Sequence, residues 1–276
     1  PQTLLVVNRV VRIGAGEEIR LTLGIVFAMV FGMALGSFLN VCIYRIPLKK
    51  SIVRPPSSCP QCGARIRFYD NIPVISYILL LGRCRPCRAP ISLRYPLVEI
   101  LIGLLSVALF VQFGLRPKTI FLFLFTAALI AIALIDLQHK IIPDVISLPG
   151  ILIGMAFSFF PSSAISPIEA LIGVVGGGGV LLLVGTVFEK LTGREGMGGG
   201  DVKLLAMIGA WMGWKALPFI ILISSLTGAV IGGVSLVVTR QGVRSRIPFG
   251  PFLALGALVF LFFGDDITLW FYRSGR

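Results

Sequence analysis

The sequence predicts an all-α polytopic membrane protein of about eight transmembrane helices, with a cytoplasmic zinc-binding tetracysteine loop between helices 1 and 2. Three observations carry that prediction. Hydrophobic residues make up 56% of the 276 and charged residues 13%, and the mean hydropathy is +0.96, more apolar surface than a soluble fold can hide. The apolar runs are long and continuous rather than alternating, which selects helices over a transmembrane barrel. Between the first two runs lies a basic polar segment holding four of the five cysteines.

In chain order, the polar start from Pro1 to Arg20 lacks the layout of a signal peptide, so the first apolar run, Leu21 to Ile43, reads as a retained helix. Asn40 near its end suits an interhelical hydrogen bond, and Cys42 a packed free thiol. The segment from Tyr44 to Arg94 carries ten Lys/Arg against Asp70 alone, a balance of +9, which places it in the cytoplasm by the positive-inside rule. Further spans are expected over 95–114, 120–135, 145–160, 168–188, 217–238 and 249–272. The net charge of +13 is explained by this topology and by anionic lipid, without nucleic acid.

Val202 to Trp214 is the short segment, and its thirteen residues cover about 20 Å of a ~30 Å hydrocarbon core. If it crosses, the loop holding Arg240, Arg244 and Arg246 is cytoplasmic, and 17 of the 25 Lys/Arg then lie on that side. Eight spans follow, with Trp211 and Trp214 expected at the far interface and with either a thinned bilayer or ends buried in protein. The pair Gly173 and Gly177 inside the fifth span is expected to bring helices into close contact.

Cys59-Pro60-Gln61-Cys62 and Cys84-Arg85-Pro86-Cys87 are two C-x-x-C pairs with 21 residues between them. Each pair offers two thiolates on one turn, and two such turns complete a closed tetrahedral zinc site. A reducing compartment disfavours disulfides there.

The chemistry-bearing acids lie at membrane boundaries. Gly196-Met197-Gly198-Gly199-Gly200-Asp201 puts one carboxylate where a glycine loop meets an apolar segment, and Asp136 closes the third span. Two acids at one membrane depth suit aspartyl proteolysis, in which one ionised carboxylate activates water and one protonated carboxyl polarises the peptide carbonyl. Asp144, after Pro143, is the rival for the first role, with helix capping or interfacial solvation as its structural explanation. His139, the single histidine, reads as an interfacial polar residue. Lys203, two residues past Asp201, is expected to point elsewhere on the helix, with an acidic group of the substrate as the alternative partner.

Gly36-Ser37-Phe38-Leu39-Asn40-Val41 through Arg45 and Pro47, the paired C-x-x-C loop, the Asp136 to Asp144 stretch and Gly198-Gly199-Gly200-Asp201-Val202-Lys203 together resemble the bacterial type IV prepilin peptidases, which are GxGD aspartyl proteases. The resemblance implies a catalytic pair at Asp136 and Asp201. It also implies cleavage of the leader of type IV prepilins and type II secretion pseudopilins at the cytoplasmic face of the bacterial inner membrane. N-methylation of the new terminus from S-adenosylmethionine is implied too, with residues 1–94 associated with methyl transfer and 95–276 forming the peptidase. Substrate and membrane lipids are then the partners. Another GxGD intramembrane protease is the alternative, which the cysteine loop and the Asn40 motif disfavour. A non-enzymatic zinc-loop scaffold or transporter is the alternative of another class.

Overall fold

The computed structural model describes residues 15–193, 198–239 and 248–274. Gly196, Met197, Arg194 and the arginines at 240, 244 and 246 lie outside the described residues, as does most of the polar start. The regular structure of the described chain is helical, apart from two isolated β-bridges, Ser58 to Arg65 and Arg83 to Pro90, in the largely irregular segment between the first two long helices. The helices are α1 (Ala15–Arg45), α2 (Ile75–Leu79), α3 (Arg94–Phe113), α4 (Pro117–His139), α5 (Asp144–Phe157), α6 (Pro167–Thr192), α7 (Gly199–Met212), α8 (Leu217–Thr239) and α9 (Gly250–Ser274). Six of them, α1, α3, α4, α6, α8 and α9, are long and apolar enough to cross a membrane. Two compact units divide the chain within α4, residues 1–127 and 128–276.

In the first unit α1 and α3 pack antiparallel. The contact is close because glycines line it: a Cβ on Gly36 would stand 2.8 Å from Glu99 Cα, and one on Gly32 2.8 Å from Gly103 Cα. Asn40 is buried and its Nδ2 donates to the Tyr95 carbonyl at 3.1 Å, so the polar side chain expected to bridge helices does so. Cys42 is buried as well.

The second unit alternates helix direction. α6 runs antiparallel to α7, with Gly177 over the Leu205 carbonyl and Gly173 facing Gly209; a Cβ on Gly177 would lie 2.5 Å from that oxygen. The glycine pair at 173 and 177 therefore brings two backbones together, as small-residue helix contacts do in membranes. α5 runs parallel to α7: Lys203 meets Asp144 at their N-terminal ends, and the Trp211 indole N–H donates to the Gly150 carbonyl at 2.9 Å further along. α8 and α9 are antiparallel, joined by Ser224 Oγ donating to the Phe252 carbonyl at 2.9 Å and by the stacked rings of Phe219 and Phe260.

Two expectations need correction. The helix at the expected fourth span is as short as the one at the sixth: α5 and α7 have fourteen residues each, about 21 Å of rise, because Ser158 to Ser166 leaves the helix before α6 begins at its Ser166–Glu169 capping box. Trp211 is not an interfacial anchor. It is buried against α5 with its ring 5.7 Å from that of Phe157, whereas Trp214 is 44% exposed. The stretch from Leu204 to Trp211 is buried throughout, so neighbouring helices, not lipid, surround the short segment.

Candidate active site and candidate metal centre

The tetracysteine loop builds its site from two near-copies of one turn. Cys59 N–H donates to the Ala64 carbonyl at 2.9 Å and Cys84 N–H to the Ala89 carbonyl at 2.8 Å, while Gly63 and Arg88 return N–H groups to the carbonyls of Cys59 and Cys84 at 2.9 Å. The residue after each second cysteine takes positive φ, Gly63 at 68° and Arg88 at 57°. Glycine suits that conformation, and Arg88 bears the extra steric cost of a side chain there. All four sulfurs lie within 4.8 Å of one another, and Cys59 Sγ stands 3.8 Å from Cys87 Sγ. A tetrahedron of ~2.3 Å metal–sulfur bonds has an edge of about 3.8 Å, so the thiols are spaced to accept such an ion. Backbone N–H groups of Cys62 and Gln61 lower the Cys59 thiol to about 6, toward the thiolate that binds metal, whereas at Cys84 the Cys87 N–H is outweighed by burial and the neighbouring sulfurs, which push the thiol up to about 12. Beside the site, Arg85 clamps Asp70 through two nitrogens, with Nη2 to Oδ1 at 2.6 Å, and holds that carboxyl below its ordinary range.

Asp136 stands in the last turn of α4. The helix stops there because Lys140 takes φ of 53° and returns its N–H to the Asp136 carbonyl at 2.8 Å, and Pro143 then prevents continuation. The Asp136 side chain is 5% exposed, and its Oδ2 accepts the N–H of Gly250, the first residue of α9, at 3.0 Å. Asp201 occupies the first turn of α7, where its N–H donates to the Gly198 carbonyl at 3.0 Å and the helix dipole favours negative charge. Asp136 and Asp201 are near enough for their charges to interact. Ile142 fills the space between the backbones beside them: a Cβ on Gly200 would lie 2.9 Å from Ile142 Cβ, and one on Gly250 3.3 Å from its Cδ1.

Asp144 is placed differently. It opens α5 without capping it, and both its oxygens receive the Lys203 ammonium, at 2.7 and 2.8 Å. Lys203 therefore meets an acid of its own chain. His139 is exposed at the end of α4. Gly250 is the neighbour that sequence reasoning passed over. Its signal was weak but present, a glycine between Phe249 and Pro251 where a span begins.

This fold defines a multi-pass helical membrane protein with a pair of acids, one of them buried, in one unit and a metal-suited cysteine cluster in the other. Residues 123–233 match the type IV leader peptidase family, and residues 30–113 match the bacterial peptidase A24 N-terminal domain. The chain belongs to the type IV leader peptidase family. It is 39% identical over 265 residues to a protein of Pseudomonas putida, covering 88% of this chain and 92% of that one. It is 41% identical over 269 residues to one of Aeromonas hydrophila, with the same coverages. A Pseudomonas aeruginosa relative is 40% identical over 263 residues, 87% of this chain and 90% of its own. All three are named prepilin leader peptidase/N-methyltransferase. No solved structure matches the chain.

Proposed function

We propose that this chain removes the leader peptide of type IV prepilins and type II secretion pseudopilins at the cytoplasmic face of the bacterial inner membrane and then N-methylates the new terminus. Asp136 and Asp201 are the catalytic residues. The observation that carries the assignment is the convergence of these two acids, 65 positions apart in the chain, at the ends of different helices: Gly200 beside Asp201, and Gly250 bonded to Asp136, both pack against Ile142. Asp144 is half exposed and neutralised by Lys203, so it lacks the paired, water-poor setting that splits the protonation states of two carboxyls.

In the reaction, the ionised member of the pair takes a proton from water as the water oxygen attacks the scissile carbonyl. The protonated member donates its hydrogen bond to the carbonyl oxygen, and the tetrahedral intermediate then collapses with a proton delivered to the leaving amine. No covalent acyl-enzyme forms. Substituting Asp136 and Asp201 singly by Ala, with a prepilin co-expressed, tests the assignment: loss of the processed band is expected for each, and intact cleavage in either sinks the pair.

The helix directions support eight crossings. α6 is antiparallel to both short helices, so α5 and α7 must cross for the ends bearing Asp136, Asp144, Asp201 and Gly250 to share one face, and Lys140, Lys190 and Lys203 near those ends favour that face as the cytoplasmic one. Cys59, Cys62, Cys84 and Cys87 would hold a structural Zn²⁺, which supplies a cross-link between two turns of a loop with little apolar core. S-adenosylmethionine would supply the methyl group, with residues 1–94 as the methyltransferase-associated part and 95–276 as the peptidase. Mass spectrometry of the processed N terminus reads cut site and methylation together.

A further inference from the structure

We propose that Gly250 is a positioning residue of the aspartate pair: its backbone N–H fixes Oδ2 of Asp136, and its lack of a side chain leaves that oxygen its place. The inference rests on the reading of Asp136 and Asp201 as catalytic. The first N–H groups of a helix have no acceptor within the helix. At α9 the first of them finds one 114 residues away, Asp136 Oδ2 at 3.0 Å, inside the protein. A Cβ on Gly250 would stand 2.7 Å from that oxygen, closer than real Cβ atoms come, and 3.3 Å from the carboxyl carbon, so any side chain displaces the carboxylate or the helix.

The amide is itself held from behind. Phe249 O accepts the N–H groups of Phe252 and Leu253 at 3.1 Å each, and Phe252 O accepts Ser224 Oγ from α8. The start of α9 is therefore anchored to a second helix before it reaches Asp136. An oxygen that accepts an N–H does not at the same time present a proton to it. The contact thus takes one acceptor site of Oδ2 and fixes the orientation of the carboxyl group. Ile142, against both Gly250 and Gly200, spaces the two glycine backbones beside the two acids.

Two measurements test this. Gly250→Ala in the full-length enzyme is expected to lower kcat for prepilin cleavage about 10- to 100-fold while KM stays within about twofold. Gly179→Ala, whose added methyl meets nothing within 4 Å, is expected to keep both constants. Wild-type kcat in Gly250→Ala, or an equal loss in Gly179→Ala, overturns the proposal.

Amide hydrogen exchange of the peptide spanning 249–252 decides the matter even where Gly250→Ala does not fold, because it needs no change at Gly250. The Gly250 amide is expected to exchange at least about tenfold faster in Asp136→Ala than in wild type and to stay protected in Asp136→Asn. Equal exchange in wild type and Asp136→Ala overturns the contact. Intact cleavage by Asp136→Ala would instead break the reading of the pair, a separate outcome.

Discussion

The cysteine cluster and the aspartate pair are assembled in opposite ways. Each half of the cysteine site is closed by hydrogen bonds within about one turn, Cys59 to Ala64 and Cys84 to Ala89, and Asp70 and Arg85 brace it within the same loop. The aspartate pair has no such local frame. Asp136 is held by an amide 114 residues later, and Asp201 reaches it through a helix packed between others. A locally closed site depends on its own residues and its ion, whereas a site made by distant helices depends on every contact that sets their spacing.

The sharpest test of that contrast is chemical. Asp136→Asn and Asp201→Asn are each expected to slow prepilin cleavage by about 10²–10⁴-fold, the range of acid–base catalysis, read from the rate of appearance of the processed band. Asp144→Asn should leave most of the rate, and an equal loss there would erase the distinction between the two acids at the ends of this stretch.

Next comes helix spacing. Gly173→Val forces two methyl groups and a Cβ against the Gly209 backbone, and overpacking of this kind costs about 1–3 kcal/mol or more. Thermal unfolding in detergent should show it, and cleavage should fall with stability although residue 173 touches neither acid. Unchanged melting would mean that α6 and α7 can separate freely, and the dependence on distant contacts would fail.

The cysteine loop should respond locally. Cys59→Ser or Cys84→Ser, or treatment with a strong chelator, is expected to take zinc from about one per chain toward zero, measured by elemental analysis, while cleavage falls less than about tenfold. Cleavage abolished together with zinc would show that the loop also sets the geometry of the acids.

The smallest effect is expected at Lys203 and Asp144, whose side chains are 40% and 55% exposed. Exposed pairs contribute about 0.2–1 kcal/mol, so Lys203→Gln should alter cleavage less than about fivefold, and a double-mutant cycle with Asp144→Asn should give coupling of that size.

Much of this was legible from residue order. Long apolar runs require helices, because backbone groups in hydrocarbon must be satisfied within their own segment, and the observed helices fall close to the apolar runs. The repeated C-x-x-C turns announced their cluster, because short spacing leaves few arrangements of the thiols. The small pair at 173 and 177 announced a close helix contact for a similarly local reason, a smooth stripe one turn apart. Trp211 misled because an aromatic at the end of an apolar run has the same sequence signature whether it faces the interface or a neighbouring helix; its hydrogen bond to Gly150 is a matter of tertiary packing.

What the sequence by itself determined was a helical membrane protein, a metal-suited loop, and a short set of acids at membrane boundaries, since hydropathy, charge and spacing act through near neighbours. Only the tertiary structure decided which acid pairs with which. Asp136 and Asp144 are eight residues apart and alike on paper, yet one turns inward to Gly250 and Asp201 while the other turns outward to Lys203. The reason is physical: the turn at Lys140 and Pro143 sends the two carboxylates to different partners, Asp201 and Lys203 of α7 and the Gly250 amide of α9, all much later in the chain.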